Sequence, residues 1–335
     1  MQLISTAVIE RAGENGYAFY RIPGIVVSPS GTVFVYYEAR HGNDWSVIDL
    51  YLRRSEDGGK TWETRAPIFS GARKNTTNNP VMIADGNALH LLFLENYKRL
   101  FYRRSTDDGR SWTAPREITN ALDDAYAEYP WTCAAVGPGH GIRTSNGRLL
   151  ATVWLASDPA EITRHWPSRV STLYSDDGGE SWRLGEVFSP ADSVNPNEAC
   201  LAERADGKIL MNIRDMRPAG LSRTTPHFRR MAVSATGIGG WTETWEERQL
   251  PDPVCAGGMC AFPGGLLFTN CASYISRSNQ TLRVSEDDGY TWSDGLLYNP
   301  LGGYSDCAYN PRTKTAFVGY EYEAETEIRV SEIRL

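Results

Sequence analysis

The chain has 335 residues, of which 41% are hydrophobic and 22% are charged, and its formal net charge is −7. This is the composition of a folded globular protein and excludes a disordered chain. No apolar run approaches the roughly 18 residues that a membrane span needs, and the negative charge disfavours partners such as nucleic acid or an anionic membrane.

Short runs of β-branched and aromatic residues recur along the chain and predict strands. They are bounded by Gly, Asn and Asp, which are typical of turns. In chain order the runs are 32–37, 89–94, 149–154, 209–213, 266–269 and 315–320. Few segments have helical periodicity, so the sequence predicts an all-β protein.

The clearest sign of organisation is an eight-residue repeat, Ser-x-Asp-x-Gly-x-(Thr/Ser)-Trp, known as the Asp box. Clear copies begin at Ser55, Ser105, Ser175 and Ser285, and a degenerate copy begins at Ser234. The Asp carboxylate can accept hydrogen bonds from the N–H groups of its own turn, while Gly supplies a positive φ. The Trp ring can pack on the adjoining sheet.

The Asp boxes define architecture and not chemistry. We therefore interpret their aspartates as turn residues: Asp57, Asp107, Asp177 and Asp287. A four-stranded propeller blade takes about 40–50 residues, so the repeat predicts a six-bladed β-propeller that occupies residues 1–335 as a single domain. We expect strands from both ends, near residues 4–9 and 327–333, to close the first blade, and ring closure protects the sheet edges.

The six cysteines do not form a Cys-x-x-Cys motif, which argues against a zinc ribbon or a thioredoxin-like site. We expect buried, reduced thiols, since free cysteine is among the most buried residue types. A Cys255–Cys260 disulfide is the alternative.

The segment Tyr20-Arg21-Ile22-Pro23 places an arginine in a stretch that is otherwise suited to burial. Long charged side chains are rarely buried unless they are paired. Arg21 therefore predicts a bound anion or a carboxylate partner.

From this motif onward the chain resembles the exo-α-sialidase (neuraminidase) family, in particular its bacterial and animal-type members. These share an Arg-Ile-Pro motif ahead of several Asp boxes. Matching segments follow in the family's order from about residue 17 to residue 323. They are 38–41 with the loop to 49, 136–142, 197–198, 206–214, 250–255, 277–281, 303–306 and 319–321.

The resemblance implies a role for each matching position in substrate binding. Arg21, Arg214 and Arg277 match the three arginines that clamp the carboxylate of sialic acid, and a guanidinium offers that carboxylate a rigid, permanently charged fork. Glu321 matches the carboxylate that orients the first of them. Arg40 matches a further arginine near the O4 side of the sugar.

The resemblance also implies the catalytic set. Asp44 matches the general acid and base, Tyr304 the nucleophile, and Glu198 the base that assists Tyr304. Because only residues 41–43 separate Arg40 from Asp44, Asp49 is kept as the alternative acid. Two departures from the family pattern are Ala256, where relatives often carry Gln, and Cys307, where an aliphatic residue is common.

A tyrosine suits this reaction because the anomeric carbon of sialic acid bears a carboxylate. An anionic nucleophile would be repelled, whereas a neutral phenol would not, and sialidases are the tyrosine exception among glycosidases. We expect hydrolysis of terminal sialic acids from glycans, with retention, through a tyrosyl–sugar intermediate. The sequence contains no metal-ligand cluster and no phosphate-binding loop, so no cofactor is expected.

Three alternatives remain open. One is a hydrolase for a related ulosonic acid, such as the deaminated sugar, and another is trans-sialidase activity. The third is a non-catalytic Asp-box propeller that binds glycans or proteins. Because the first residues lack the basic and apolar pattern of a secretory signal, we expect a cytoplasmic protein or one from which the signal has been removed.

Overall fold

The computed structural model describes residues 1–69, 75–86, 88–323 and 325–335. Within them, 25 strands form six separate antiparallel sheets. The sheets are the blades of a β-propeller, so the predicted fold class is confirmed. Helix is confined to α1 (Asp123–Glu128) and two 3-10 turns, Glu14–Gly16 and Thr119–Leu122. None of these described helices has the length and apolar character needed to traverse a bilayer.

The first half of the chain forms the outermost strand of the last sheet and then three complete blades. The strands are β1 (Gln2–Arg11); in blade 1, β2 (Phe19–Val27), β3 (Val33–Arg40), β4 (Ile48–Ser55) and β5 (Ala66–Phe69); in blade 2, β6 (Thr77–Asp85), β7 (Ala88–Glu95), β8 (Arg99–Ser105) and β9 (Arg116–Glu117); in blade 3, β10 (Cys133–Val136), β11 (Ile142–Arg143), β12 (Leu149–Ala156), β13 (Ser168–Ser175) and β14 (Arg183–Leu184).

The second half forms the other three blades. The strands are, in blade 4, β15 (Ala199–Glu203), β16 (Ile209–Ile213), β17 (Phe228–Ser234) and β18 (Glu243–Pro251); in blade 5, β19 (Gly258–Phe262), β20 (Gly265–Cys271), β21 (Ser278–Ser285) and β22 (Leu296–Leu301); in blade 6, β23 (Ser305–Asn310), β24 (Thr315–Tyr322) and β25 (Glu327–Arg334).

The two ends of the chain share blade 6, whose strand order is β1-β25-β24-β23. Strand β1 pairs antiparallel with β25 from Gln2 opposite Arg334 to Arg11 opposite Glu327. The predicted closure by strands from both ends is confirmed, with strands a few residues longer than the sequence pattern indicates, but the shared sheet is the last blade and not the first, because β1 pairs with β25 and not with β2–β5. The ends therefore hold the ring together by backbone hydrogen bonds.

Each Asp box occupies the turn after the third long strand of a blade. In the box of blade 3, Asp177 Oδ1 accepts the Ser181 N–H at 2.9 Å and Oδ2 accepts the Ser181 hydroxyl at 2.5 Å. The box Trp182 is buried in the adjoining core. In the degenerate copy Ser234 Oγ accepts the N–H groups of Thr236 and Gly237 instead. The aspartates are turn residues, as the sequence predicts.

The inner strands of neighbouring blades meet around the propeller axis. There the fully buried Asp306 accepts the N–H groups of Ile25 and Cys307, each at 3.0 Å, and contacts His140 Nδ1 at 2.8 Å. A Cβ on Gly258 would lie 2.2 Å from an oxygen of Asp306, so this close approach requires glycine. The hydrogen bond between Ile25 and Asp306 joins β2, which carries Arg21, to β23, which follows Tyr304.

All six cysteines are buried and free. The expectation of reduced thiols is confirmed, and the alternative Cys255–Cys260 disulfide is wrong. Cys260 instead lies against Cys307, with the two sulfur atoms 3.8 Å apart.

The hydrogen-bonded Asp-box carboxylates predict how the thermal stability of the protein changes at acid pH. Hydrogen bonds from Ser181 and Ser175 lower the pKa of Asp177 to about 2. Because the folded pKa is lower than the unfolded value, this stabilisation is present above about pH 4 and is lost as the pH falls towards 2. We expect Asp177→Asn to lower the thermal midpoint by on the order of 1–3 °C at pH 7.

Differential scanning fluorimetry from pH 2 to 7 measures this. The difference between the two proteins should narrow as the pH falls below about 4. A difference in thermal midpoint between wild type and Asp177→Asn that stays constant from pH 2 to 7 would show that the ionised carboxylate does not stabilise the turn.

Candidate active site

The predicted site residues come together because most of them lie at or near the ends of strands, and Asp44 lies in the loop between β3 and β4. Glu198 precedes β15, Arg214 follows β16, and Arg277 and Tyr304 precede β21 and β23. Together with Arg21, Arg40 and Asp44 they line one cavity of about 180 Å³. Glu321 lies directly behind Arg21. The alternative acid, Asp49, does not line the cavity; it accepts a hydrogen bond from the Tyr17 hydroxyl at 2.7 Å.

Three arginines surround the Tyr304 ring. The guanidinium carbons of Arg21, Arg214 and Arg277 lie 5.0, 5.9 and 5.2 Å from its centre. With Arg40, four arginines and two carboxylates face the cavity. The cavity wall therefore carries more arginines than carboxylates although the chain as a whole is negatively charged, and it suits a small anion.

The Tyr304 phenol is buried and bonded to two charged groups. Its hydroxyl donates to Glu198 Oε1 at 2.6 Å and accepts from Arg214 Nη1 at 2.7 Å. Arg214 also bonds the second oxygen of Glu198. Burial raises the pKa of Tyr304, against the opposing effect of the arginines, so the resting residue is a neutral phenol. The phenol proton is directed at the Glu198 carboxylate, which can accept it.

Glu321 fixes the position of Arg21 from behind. It is fully buried, its Oε1 lies 3.1 Å from Arg21 Nε, and its two oxygens accept the N–H groups of Ile22 and Tyr304 at 3.0 and 2.9 Å. Burial would raise the pKa of Glu321, but Arg21 and these two N–H groups hold it below its ordinary value. One carboxylate thus connects the Arg21 side chain to the backbone of Tyr304.

The backbone next to Arg21 is strained. Ile22 has φ = 55°, in the left-handed region that β-branched residues avoid, within a bulge between Arg21 and Gly24. The Ile22 N–H is held by Glu321 in this conformation. Such outliers cost about 1–3 kcal/mol and cluster at functional sites. Here the bulge re-aims β2 so that Arg21 faces the cavity.

Asp44 is the exposed member of an ion-paired chain. Arg40 is buried and contacts Glu38 Oε2 through Nε at 2.6 Å and Asp44 through Nη1. Glu38 in turn accepts the Asn79 N–H at 2.7 Å. The Asp44 side chain is 45% exposed. Its partial burial would raise the pKa of Asp44, but Arg40, and more weakly Arg21, hold that pKa below its usual range.

Four further residues belong to the site and have no assignment from the sequence. Glu38 neutralises Arg40, and Glu325 Oε1 lies 2.9 Å from Arg21 Nε. Tyr97 and His165 line the cavity together with Trp154 and Trp166. Glu38 could have been found from the Glu-Ala-Arg alternation of β3. The other three lie in turns or loops, where no periodicity exists.

A larger cavity of about 520 Å³ is lined by none of the predicted site residues. His140, Arg143 and Glu203 are among the residues that line it. We assign the chemistry to the smaller cavity because it contains the arginines together with the hydrogen-bonded pair of Tyr304 and Glu198. Among the described residues no group of three His, Cys, Asp or Glu side chains could hold a metal ion.

The fold and the arginine-lined cavity together define a sialidase-type propeller. A family model described as a BNR repeat-like domain matches residues 68–305, and the chain belongs to this family. The Bacteroides fragilis (strain YCH46) sialidase is 28% identical over 326 residues, covering 85% of this chain and 56% of that protein. The Micromonospora viridifaciens sialidase is 30% identical over 373 residues, covering 96% and 52%.

The chain thus spans little more than half the length of these two relatives. A solved structure, the Hadza microbial sialidase Hz136, superposes with a TM-score of 0.83 at 24% identity, covering 98% of this chain and 68% of that one. These relatives confirm the predicted resemblance to the sialidase family, and the superposition confirms the propeller.

The buried pair of Arg21 and Glu321 predicts a large effect on stability. In Glu321→Gln the amide nitrogen would meet one of the two backbone N–H groups, and Arg21 would keep Glu325 and the more distant Asp44 as its charged partners. We expect a loss of about 2–4 kcal/mol in the free energy of unfolding. Urea titration followed by tryptophan fluorescence measures it.

Glu323→Gln, in the exposed turn that follows, is the matched control and should be within about 0.5 kcal/mol of wild type. Equal stability of the two variants would show that the Glu321 contacts contribute nothing to the fold.

Proposed function

We propose that the protein is an exo-α-sialidase that hydrolyses terminal sialic acids from glycans, with retention, using Tyr304 as its nucleophile. One observation carries the proposal: three arginines converge on a buried phenol whose oxygen lies 2.6 Å from a carboxylate oxygen. The names of the relatives support the same substrate class.

The arginines provide the substrate-binding step. A sugar carboxylate over Tyr304 can be reached by Arg21, Arg214 and Arg277 together, and charge-assisted bonds to a guanidinium fork are the strong ones. Arg21 is held by Glu321, so little side-chain freedom is lost when the ligand binds. This clamp sets the anomeric carbon, which is bonded to the carboxylate, above the phenol.

The phenol provides the nucleophile without an initial negative charge. Glu198 accepts the proton of Tyr304 as the oxygen attacks the anomeric carbon, and the three guanidinium groups stabilise the phenolate character that develops. The glycosidic bond breaks as the tyrosyl–sugar bond forms. Water then displaces Tyr304 from the same face as the departed leaving group, which gives retention.

We assign the protonation of the leaving group to Asp44. It lies at the exposed side of the cavity, where an aglycone must project into solvent. Protonated Asp44 would donate to the glycosidic oxygen and would then deprotonate the incoming water. Against the effect of partial burial, Arg40 and Arg21 keep the pKa of Asp44 low, so the free residue is ionised. A bound carboxylate would offset the charge of Arg21 and raise this pKa, so that Asp44 gains the proton more easily.

A catalytic role accounts for more of the site than binding alone does. Recognition of a carboxylate needs the arginines but needs neither a buried phenol nor its hydrogen-bonded base. Burial of Tyr304 against Glu198 and Arg214 is therefore better explained by nucleophilic catalysis.

The activity is tested by fluorophore release from 4-methylumbelliferyl α-N-acetylneuraminic acid, with the deaminated analogue alongside. We expect cleavage of the first, with the α-anomer as the first product by proton NMR. Cleavage of the deaminated analogue alone would favour the related ulosonic acid, and a β-anomer as the first product would rule out retention.

Replacement of the nucleophile tests the mechanism. Tyr304→Phe should lower kcat by at least about 100-fold, and its affinity for N-acetylneuraminic acid in calorimetry should change by less than about tenfold. Tyr309→Phe, a tyrosine of β23 that lines the other cavity, is the matched control. Full activity of Tyr304→Phe would remove the covalent mechanism.

The assignment of Asp44 as the general acid is tested by comparing substrates whose leaving groups differ in their need for protonation. Asp44→Asn should lower kcat/KM for sialyllactose by about 100-fold or more. The loss should be under about tenfold for a nitrophenyl sialoside, whose leaving group needs little protonation. Asp49→Asn, which changes the alternative acid, should show no such difference; the reverse pattern would assign the acid to Asp49.

A further inference from the structure

One imidazole in the cavity has no part in the mechanism above. His165 lies in the segment between β12 (Leu149–Ala156) and β13 (Ser168–Ser175) and lines the same cavity as Tyr304. Its Nε2 is buried and has no hydrogen-bond partner within the part of the chain that the structure describes. A buried polar atom without a partner is destabilising and requires an explanation.

The His165 ring is held by aromatic neighbours. Its centre lies 5.0 Å from Trp154, 5.2 Å from Tyr97 and 6.1 Å from Trp45. These contacts fix the orientation of the imidazole without using its nitrogen atoms. Trp45 is 36% exposed, so an entering ligand can displace it at less cost than a fully buried ring.

Four charged groups face His165: Asp44, Glu198, Arg214 and Arg40. Burial lowers the pKa of His165, the two carboxylates raise it and the two arginines lower it, and the net direction is downward. The imidazole is therefore neutral near pH 7, and it can donate a hydrogen bond from one nitrogen and accept one at the other. It adds hydrogen-bonding capacity without adding charge.

We propose that His165 is a specificity-determining residue that hydrogen-bonds a polar arm of the sugar, namely the C5 substituent or the hydroxylated chain at C6. The inference rests on the proposed function. In that binding mode the arginine trio holds the carboxylate, Asp44 meets the glycosidic oxygen and Arg40 is near O4. These two arms are then the polar groups of the sugar that still lack a partner.

The neutral state of His165 suits such a role. Both arms are uncharged and carry hydroxyl or amide groups, so a neutral imidazole can match either the donor or the acceptor. A site built to hydrogen-bond a substrate group discriminates strongly against an analogue that lacks it, because the buried protein atom is then left unpaired. His165 would thus favour the complete sugar over a shortened one.

The test uses three aryl glycosides with the same leaving group. They are N-acetylneuraminic acid, its C5-deaminated analogue, and its analogue with the C6 chain shortened by mild periodate oxidation and reduction. The proteins are wild type, His165→Phe, which keeps an aromatic ring, and His165→Gln, which keeps a hydrogen-bonding group. His227→Phe is the matched histidine control outside the cavity.

With the complete sugar, His165→Phe should have kcat/KM about tenfold below wild type, mostly through KM, and His165→Gln should recover to within about threefold. With the analogue that lacks the partner of His165, wild type and His165→Phe should differ by less than about twofold. The altered arm then identifies the partner group. His227→Phe should show one ratio to wild type for all three substrates.

Equal ratios of His165→Phe to wild type on all three substrates would overturn the proposal, because a purely structural role lowers every rate alike. If His165→Phe does not fold, the kcat/KM of His165→Ala relative to wild type is compared across the same three substrates. Wild type that cleaves none of the substrates would instead contradict the proposed function, so the two failures are distinguishable.

Discussion

The structure depends on concentrating positive charge around one neutral phenol. Buried guanidinium groups are costly unless carboxylates compensate them. The chain supplies these behind and beside the cavity: Glu321 holds Arg21, Glu198 holds Arg214, and Glu38 holds Arg40. Because each of these carboxylates is itself hydrogen-bonded, the arginines stay fixed. The site is thus preorganised for an anion before one binds.

The propeller makes this arrangement possible by bringing strand ends from distant parts of the chain to one axis. Arg21 and Glu321 are 300 positions apart, yet β2, which carries Arg21, packs against both β23 and β24, and β24 carries Glu321. Asp306 joins these inner strands, and the pairing of β1 with β25 closes the ring. The Asp boxes lie in the turns after the third long strands of five blades and contribute stability without entering the cavity.

The fold could be predicted from the sequence because the Asp box is a local signal: its turn depends on eight consecutive residues. The convergence of Arg21, Arg214, Arg277 and Tyr304 was predictable only through resemblance, since no local pattern places distant residues together. His165 could not be found in either way. It lies in a loop without periodicity, and its significance comes from a buried atom without a partner, which only coordinates reveal.

The central claim is that the phenol oxygen of Tyr304 becomes bonded to the sugar. It is tested most directly by incubating the protein with a 2,3-difluorinated sialic acid, which slows breakdown of a covalent intermediate, and mapping the labelled peptide by mass spectrometry. The account predicts one sugar per chain, attached at Tyr304. A label on a carboxylate residue such as Glu198 or Asp44 would contradict it, and so would turnover of the compound with inversion at the anomeric carbon.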